Sequence, residues 1–289
     1  MAALLVLAAS IILCALVVFF GPAAAERLIP LLGTAQQENY PAIETLFALV
    51  IFGSLLVFAL VGGRLSKVNP VQVGRKPALM LPIGALIGVI GVVASASYAW
   101  LAGTLTYGSG SGGDIGLLLW GTAVILFGAA VEEIYFRGWL QPVLIRHYGV
   151  PAAVLLSALA FATLHVMGGA RSPTTLINLF LGGLLFGLLA ARAGGLAGAI
   201  AAHFTWNWSE RILFGLDPNP GIGSFGAWLD LDLAGPALWG GSEEGLNASL
   251  AMTLTLFALL VPLMILSKGV SRPARRSRRK PRSTGVLKT

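Results

Sequence analysis

The chain contains a succession of apolar runs, and their length constrains its fold more than any other feature. A transmembrane helix needs about 20 apolar residues, and several runs reach that length. Charged residues make up only 11% of the chain, whereas soluble domains hold about 25%. A soluble globular fold is therefore excluded, and so is disorder of the whole chain, because so much apolar surface seeks burial.

The pattern predicts an all-α fold, a polytopic membrane helix bundle with about eight transmembrane helices. The expected helices cover residues 2–21, 42–62, 77–102, a run that begins near 115, 152–167, 176–191, 196–214 and 246–266. Three alanines at 23–25 follow the first run, as in a cleaved signal peptide. However, residues 1–12 contain no Lys or Arg, which a signal peptide needs, so we expect a retained helix.

Basic residues are concentrated at the C-terminus. Nine of the 19 Lys and Arg lie in residues 268–289, which hold no acidic residue, so the net charge of +7 belongs to this tail. It does not indicate a nucleic-acid-binding body. We divide the chain into a membrane domain over 1–267, with a functional core at about 115–214, and a basic cytoplasmic tail over 268–289 that we expect to be disordered. A single cysteine, Cys14, excludes a disulfide framework and a cysteine-ligated metal cluster.

The basic residues of the connections predict the orientation, because cytoplasmic loops are enriched in Lys and Arg. Every second connection is basic, and the connections between these are mainly acidic, with Arg171 as the main exception. With eight crossings, both termini lie in the cytoplasm, and we expect an integral protein of a prokaryotic plasma membrane. Basic residues mark every second connection, at Arg64, Lys67, Arg75 and Lys76, then Arg146, then Arg192, and finally the tail.

Ionisable groups inside membrane helices cost roughly 2.5–3.5 kcal/mol each on insertion scales, and they are functional candidates by default. Glu44 lies at the edge of its run and is interpreted as interfacial. The remaining polar residues cluster in three of the predicted helices: Glu132, Glu133 and Arg137; His165; and His203, Asn207, Glu210 and Arg211.

The first two groups are predicted to meet. Glu133 and Arg137 are four residues apart on a helix and can pair, while Glu132 points about 100° away and stays free for chemistry. Glu132 and His165 are equally distant in sequence from the turn at 148–149, so an antiparallel hairpin brings them level. The weak point is Pro142, which we expect to kink or break the helix near residue 141.

The third group adds two donors at a similar depth. His203 and Asn207 are four residues apart and share one helix face. A buried carboxylate suits a general base, a histidine beside it can orient a water, and a second histidine with an amide can stabilise an oxyanion. The set predicts hydrolysis of an acyl bond. Phe161, one turn from His165, is interpreted as a packing wall, and Glu210 is expected to pair with Arg211 or with another helix.

These groups resemble the motifs of the CPBP family of membrane proteases, which includes CAAX prenyl endopeptidases and bacteriocin-processing or immunity-type proteins. Over residues 115–214, the order and internal spacing match the E-E-x-x-x-R, F-x-x-x-H and H-x-x-x-N motifs of that family. The matching residues are Glu132, Glu133 and Arg137; Phe161 and His165; and His203 and Asn207.

The resemblance implies an intramembrane endopeptidase that acts on a membrane-associated, prenylated or leader-peptide substrate. Glu132 and His165 would activate water, and His203 with Asn207 would form the oxyanion site. Glu133, Arg137 and Phe161 would support the structure. The implied partners are a peptide or protein substrate at the membrane and the lipid bilayer, without nucleic acid.

Metal dependence stays open at this point, because the family is often labelled as metalloproteases. Glu132, His165 and His203 are the alternative ligands, and three such ligands with a water would suit catalytic zinc. The chain has no H-E-x-x-H motif, which zinc proteases often carry. We therefore favour a reaction without a cofactor and keep zinc as the alternative.

Two functions of other classes also remain. Buried carboxylates and histidines form proton relays in transporters, although the chain shows no internal repeat of the kind that many transporters contain. A catalytically silent, immunity-type scaffold would keep the same residues for packing. A serine or aspartyl intramembrane protease is disfavoured, because the serines at 109 and 111 and all four aspartates lie in predicted loops.

Overall fold

The computed structural model describes residues 2–32, 39–110 and 113–267. The basic tail over 268–289 lies outside these residues, so its expected disorder stays a prediction. The described chain is all-α apart from two three-residue strands and short 3-10 turns. Its main elements are α1 (Ala2–Leu28), α2 (Tyr40–Ser66), α3 (Pro77–Leu101), β1 (Leu105–Tyr107), α4 (Ile115–Glu133), the π-helix π1 (Ile134–Leu140), α5 (Gln141–Gly168), α6 (Pro173–Ala193), α7 (Ala197–Trp208), the π-helix π2 (Ser209–Leu213), β2 (Leu231–Leu233) and α8 (Leu250–Ser267).

Five helical segments of the described residues are long and apolar enough to cross a membrane, and α8 is a shorter apolar helix. The prediction of eight crossings therefore stays a prediction. Large apolar side chains point outward from these helices, among them Phe19, Leu86 and Leu119, which are 68%, 59% and 64% exposed. An apolar perimeter of this kind suits contact with lipid and would be costly in water.

The longest segment, from α4 to α5, is a hairpin. Gly149 leaves the helical region with φ 77° and ψ 170°, a conformation that favours glycine. The ring of Phe136 lies 5.4 Å from that of Phe161, and Ser157 donates a hydrogen bond to the Phe136 carbonyl. A straight helix would hold residues 136 and 161 about 37 Å apart. The chain therefore folds back near 149 and runs antiparallel.

The prediction that the helix kinks or breaks near residue 141 is wrong, because a π-helical turn lies there instead. The helical run continues through this position, because π1 ends at Leu140 and α5 begins at Gln141. The wider π-helical turn thus takes the place of the expected break.

Three predicted boundaries also shift. α1 continues to Leu28, so Glu26 lies on the helix rather than in a loop. α7 ends at Trp208 and passes into π2, and α8 begins at Leu250 because a 3-10 turn occupies Gly245–Ala248. These are the differences of a few residues that arise where capping decides a helix end.

Close packing of α3 against α7 fixes the position of the helix that carries His203. A Cβ at Gly84 would collide with the backbone of Gly198, and a Cβ at Gly88 would collide with Thr205. Thr205 also donates a hydrogen bond to the Ala85 carbonyl, at 3.0 Å. Small residues let two helix backbones approach closely in a membrane, so these glycines set the depth and rotation of α7.

At one end of the bundle, the connections contact one another. Arg146 donates to two carbonyls at the end of α2, Gln72 donates to the Gly194 carbonyl, and Arg192 donates to the Leu263 carbonyl in α8. We call the connections at this end the basic face, because they contain no acidic residue and six basic ones: Arg64, Lys67, Arg75, Lys76, Arg146 and Arg192.

The opposite end is covered by the segment between π2 and α8. Its strand β2 pairs antiparallel with β1, and its Glu244 accepts hydrogen bonds from the backbone amides of Arg171 and Ser172. We call this segment, residues 214–249, the cap, and the whole end the acidic face. The described residues there include two basic ones, Arg27 and Arg171, and seven acidic ones: Glu26, Asp114, Asp217, Asp230, Asp232, Glu243 and Glu244.

Candidate active site

A cavity of about 240 Å³ lies between α4, α5, α6, α7, α8 and the cap. All four residues that the sequence indicated as catalytic line it: Glu132, His165, His203 and Asn207. The antiparallel hairpin brings α4 and α5 together, and the packing of α7 against α3 places the third helix beside them. Side chains that are up to 75 residues apart in the chain therefore share one enclosed space.

Glu133 lies behind the cavity wall and is fully buried. Its Oε1 atom accepts a hydrogen bond from Nη1 of Arg137 at 2.8 Å and contacts Nδ1 of His203 at 2.9 Å. Arg137 also donates from Nη2 to the Gly183 carbonyl of α6, at 3.0 Å. We call Glu133, Arg137 and their contact with His203 the anchor, because it joins α4, π1, α6 and α7.

The anchor fixes the orientation of the His203 ring. An ionised carboxylate only accepts hydrogen bonds, so Nδ1 of His203 carries the proton in its contact with Glu133. Nε2 then faces Glu132, with 3.6 Å between Nε2 and Oε2. The ring also stacks on Phe186, with 4.7 Å between the centroids. Glu132 thus lies beside His203, whereas sequence reasoning paired it with His165.

His165 is oriented by its own helix. Its Nδ1 atom lies 2.9 Å from the Phe161 carbonyl, which only accepts, so Nε2 is left with a lone pair that can accept a hydrogen bond from water. Within the described residues, His165 forms no ion pair with Glu132, and both side chains line the cavity.

Phe161 packs against three of the polar side chains around it. Its ring centroid lies 4.5 Å from that of His165 and 5.9 Å from that of His203. The guanidinium carbon of Arg137 lies 4.6 Å from the same centroid, within the range of a cation–π contact. Phe161 therefore packs against both histidines and against the anchor.

The zinc alternative can be tested against this arrangement. Both histidines keep Nε2 directed away from their Nδ1 partners, which a zinc ligand would also need. However, no group of three His, Cys, Asp or Glu side chains in the described part of the chain is placed so that it could hold a metal ion. As placed, Glu132, His165 and His203 do not form a ligand set.

Of the two partners expected for Glu210, Arg211 or another helix, the Arg211 alternative is wrong. The Arg211 guanidinium instead contacts Glu44 at 2.5 Å and Asp217 at 3.8 Å, and Ser224 donates to the other oxygen of Glu44. Glu210 is buried in the cavity wall, and among the described residues its Oε1 has no hydrogen-bond partner. Because π2 widens the helix at 209–213, neighbouring residues there turn towards different partners.

Sequence reasoning missed two features of the site. Asn178 of α6 lines the cavity and donates to the carbonyls of Asn247 and Ser249, at 2.8 and 3.0 Å, which ties the cap to the bundle. A polar residue inside an apolar run was the available signal. The contact between Glu133 and His203 was also missed, and its 70-residue separation offers no local signal.

A second recess, of about 200 Å³, lies between α2 and α4. It is lined mainly by apolar side chains such as Phe47, Ile51 and Phe52, and it reaches Glu132 and Asn207 at its inner end. The two cavities therefore approach the same carboxylate from different sides.

The fold and the site define a polytopic helical membrane protein with a buried glutamate–histidine cluster. Residues 114–209, about a third of the chain, match the family described as type II CAAX prenyl endopeptidase Rce1-like. The resemblance inferred from the motifs is thereby confirmed. No curated protein matches the chain, and no solved structure matches it.

Proposed function

We propose that this protein is an intramembrane endopeptidase that hydrolyses a peptide bond with a water activated by glutamate and histidine. The observation that carries the proposal is the difference between two adjacent glutamates. Glu133 is held through its Oε1 atom by Arg137 and His203, while Glu132 faces the cavity. The family implies a peptidase, and the cavity offers the general base that such a reaction needs.

In the proposed reaction, Glu132 and His165 position one water between them. Nε2 of His165 accepts a hydrogen bond from the water, and Glu132 takes its proton as the water oxygen attacks the carbonyl carbon. The same proton then passes from Glu132 to the leaving nitrogen, and the C–N bond breaks. General-base catalysis of this kind contributes about 100-fold to 10,000-fold to the rate.

His203 and Asn207 are proposed to stabilise the oxyanion of the tetrahedral intermediate. They lie one helical turn apart on α7 and both face the cavity. The Asn207 amide donates in its neutral form, whereas His203 donates from Nε2 only when that nitrogen carries a proton. Glu133 supports the second role, because it holds the Nδ1–H of His203 and accommodates a positive ring.

The proposed reaction routes no step through a metal, since the residues present do not form a ligand set. The zinc alternative has a direct test, which is the metal content of active, purified protein measured by mass spectrometry. We expect activity without stoichiometric metal. One zinc per active protein, lost together with activity on chelation, would overturn the metal-free reaction.

Closure of the cavity on one side favours an enzyme over a transporter. A proton or solute path needs access from both faces of the membrane. Between Glu132 and the basic face, Tyr135, Phe136, Leu140 and Leu144 are all fully buried. We therefore favour the peptidase over the transporter, and proton flux in liposomes would reverse that preference.

The experiment that tests the proposal compares cells that produce the wild-type protein with cells that produce Glu132→Gln, by proteomics of peptide termini. We expect one or more precursors that remain uncut in the variant cells. Glu26→Gln, an exposed glutamate on α1, serves as the matched control and should leave cleavage unchanged. Identical termini in all three cell lines, with equal protein levels, would contradict the proposed function.

A further inference from the structure

The cavity reaches only one end of the bundle. Asp217 and Asn247, which line its mouth, belong to the cap on the acidic face, and the side chain of Asp217 is 55% exposed. His165 lies three residues before the end of α5, next to the same face. A peptide that enters this cavity from the solvent therefore passes the cap, whereas the recess between α2 and α4 reaches Glu132 from the side.

The opposite end is closed by packed side chains. π1 and the start of α5 lead from Glu132 towards the basic face, and Tyr135, Phe136, Leu140 and Leu144 in this stretch have no exposed surface. The Gln141 side chain is also buried, and it donates a hydrogen bond to the Gly187 carbonyl at 3.0 Å, which joins α5 to α6. No part of the cavity lining comes from the connections of the basic face.

The charges of the two faces indicate which of them is cytoplasmic. Short connections rich in Lys and Arg stay in the cytoplasm, and acidic residues have little influence on the orientation. The basic face holds six Lys and Arg, and nine more follow α8 in residues 268–289. The described acidic face holds Arg27 and Arg171, with Arg211 beside the cap. α8 ends at the basic face, since Arg192 contacts its Leu263. The basic face is therefore the cytoplasmic one.

From these two observations we infer that the catalytic cavity opens away from the cytoplasm. Its substrate is then a peptide segment exposed on the extracytoplasmic side of the membrane. A prenylated tail that stays in the cytoplasm would meet the closed end of the bundle and would not reach Glu132. The statement about the substrate rests on the proposed peptidase function. The side on which the cavity opens does not depend on that function.

The side of opening can be measured by labelling single cysteines with a membrane-impermeant maleimide. The chain has one cysteine, the buried Cys14, so Cys14→Ala gives a background without reactive thiols. Asn247→Cys reports on the cavity mouth, Glu243→Cys on the exposed cap, and Val71→Cys, which is 48% exposed in wild type, on the basic face. Each is labelled in intact cells and in inverted membrane vesicles.

We expect Asn247→Cys and Glu243→Cys to react in intact cells as fully as after lysis, and Val71→Cys to react only in inverted vesicles. The reverse pattern would overturn the inference. The inference would also be overturned if Asn247→Cys reacted only in inverted vesicles, because the cavity would then open to the cytoplasm. A variant that is not inserted is recognised by its absence from washed membranes, and Asp217→Cys, which also lies at the cavity mouth, then replaces Asn247→Cys.

Cleavage provides the second measurement. A synthetic peptide that spans the cut found in the Glu132→Gln comparison is added outside right-side-out or inverted vesicles. We expect cleavage in right-side-out vesicles and at least a tenfold lower rate, about the vesicle contamination level, in inverted ones. Faster cleavage in inverted vesicles would overturn the inference. If neither orientation cleaves any peptide while the labelling is as expected, the peptidase function fails and the side of opening stands.

Discussion

Two neighbouring regions of the membrane domain each contain a glutamate, but one glutamate is buried in an ion pair and the other faces a cavity. In the anchor, the Glu133 carboxylate is fully buried and is held by Arg137 and His203. In the part of the cavity wall formed by Glu132, His165 and Asn207, the Glu132 carboxylate faces open space. Its nearest ionisable partner is Nε2 of His203, 3.6 Å away.

The difference arises because Glu132 and Glu133 are consecutive residues of one helix and therefore point in different directions. Glu132 and Glu133 project about 100° apart, so one points between α6 and α7 while the other points into the cavity. Removing one member of a buried ion pair is strongly destabilising, because the other charge is left without compensation. Changing a side chain that faces a cavity carries no such penalty. The anchor should therefore control folding, and the cavity wall should control turnover.

The largest effect is expected from breaking the anchor. Arg137→Ala leaves Glu133 buried without its main partner, which should cost about 3–5 kcal/mol and prevent recovery of folded protein. Size-exclusion chromatography and thermal unfolding in detergent measure the loss. Arg64→Ala, an exposed arginine on the basic face, is the matched control. Normal stability of Arg137→Ala would show that the anchor has no structural role.

The next effect concerns the oxyanion donors. Asn207→Ala should lower kcat by about 100-fold to 1000-fold, the usual effect of removing one oxyanion donor, and leave the melting temperature close to that of wild type. His203→Ala should lower kcat as well, but it should also reduce stability, because His203 belongs to the anchor. If Asn207→Ala changes only KM, the oxyanion role is wrong.

A smaller effect is expected at the boundary between the two regions. Phe161→Leu keeps an apolar side chain but removes three ring contacts, with His165, His203 and Arg137. Each contact is worth about 0.5–1.5 kcal/mol, so both stability and kcat should fall moderately. Melting curves and initial rates on the same preparation test this. A loss confined to either quantity would mean that Phe161 serves only one region.

The smallest effect is expected in the cap, far from both regions. Burial alone would raise the pKa of Glu244, but the Thr175 side chain, the amides of Ser172 and Arg171 and the Arg171 charge lower this pKa below its usual value. A carboxylate with a lowered folded-state pKa stabilises the protein above its unfolded pKa of about 4.3, and that contribution is lost as the pH falls through and below it. Glu244→Gln should therefore lower the melting temperature slightly at pH 7, and by less as the pH falls below the unfolded pKa. An equal loss at pH 7 and below the unfolded pKa would contradict this origin.

The local parts of the site were predictable from the sequence, and the long-range parts were not. Helical spacing was enough to select Glu132, His165, His203 and Asn207, because each motif lies within one or two turns. The contact of Glu133 with His203 depends on the rotation of α7, which its packing against Gly84 and Gly88 determines. No spacing rule contains that information.

The same limit explains the errors at the helix ends. The π-helical turn at Ile134–Leu140 lets the run pass Pro142, and π2 turns Arg211 towards Glu44 instead of Glu210. Both depend on tertiary contacts that override local preference. The number of crossings is less accessible still, since α7 and α8 are too short to be assigned by length and hydropathy alone.

The most direct test of the account compares the two adjacent glutamates in purified protein. Turnover and melting temperature are measured for wild type, Glu132→Gln and Glu133→Gln, with His165→Ala alongside. We predict that Glu132→Gln and His165→Ala lose at least about 100-fold in kcat at an unchanged melting temperature, and that Glu133→Gln loses stability. A Glu132→Gln protein that is folded and fully active would contradict the central claim.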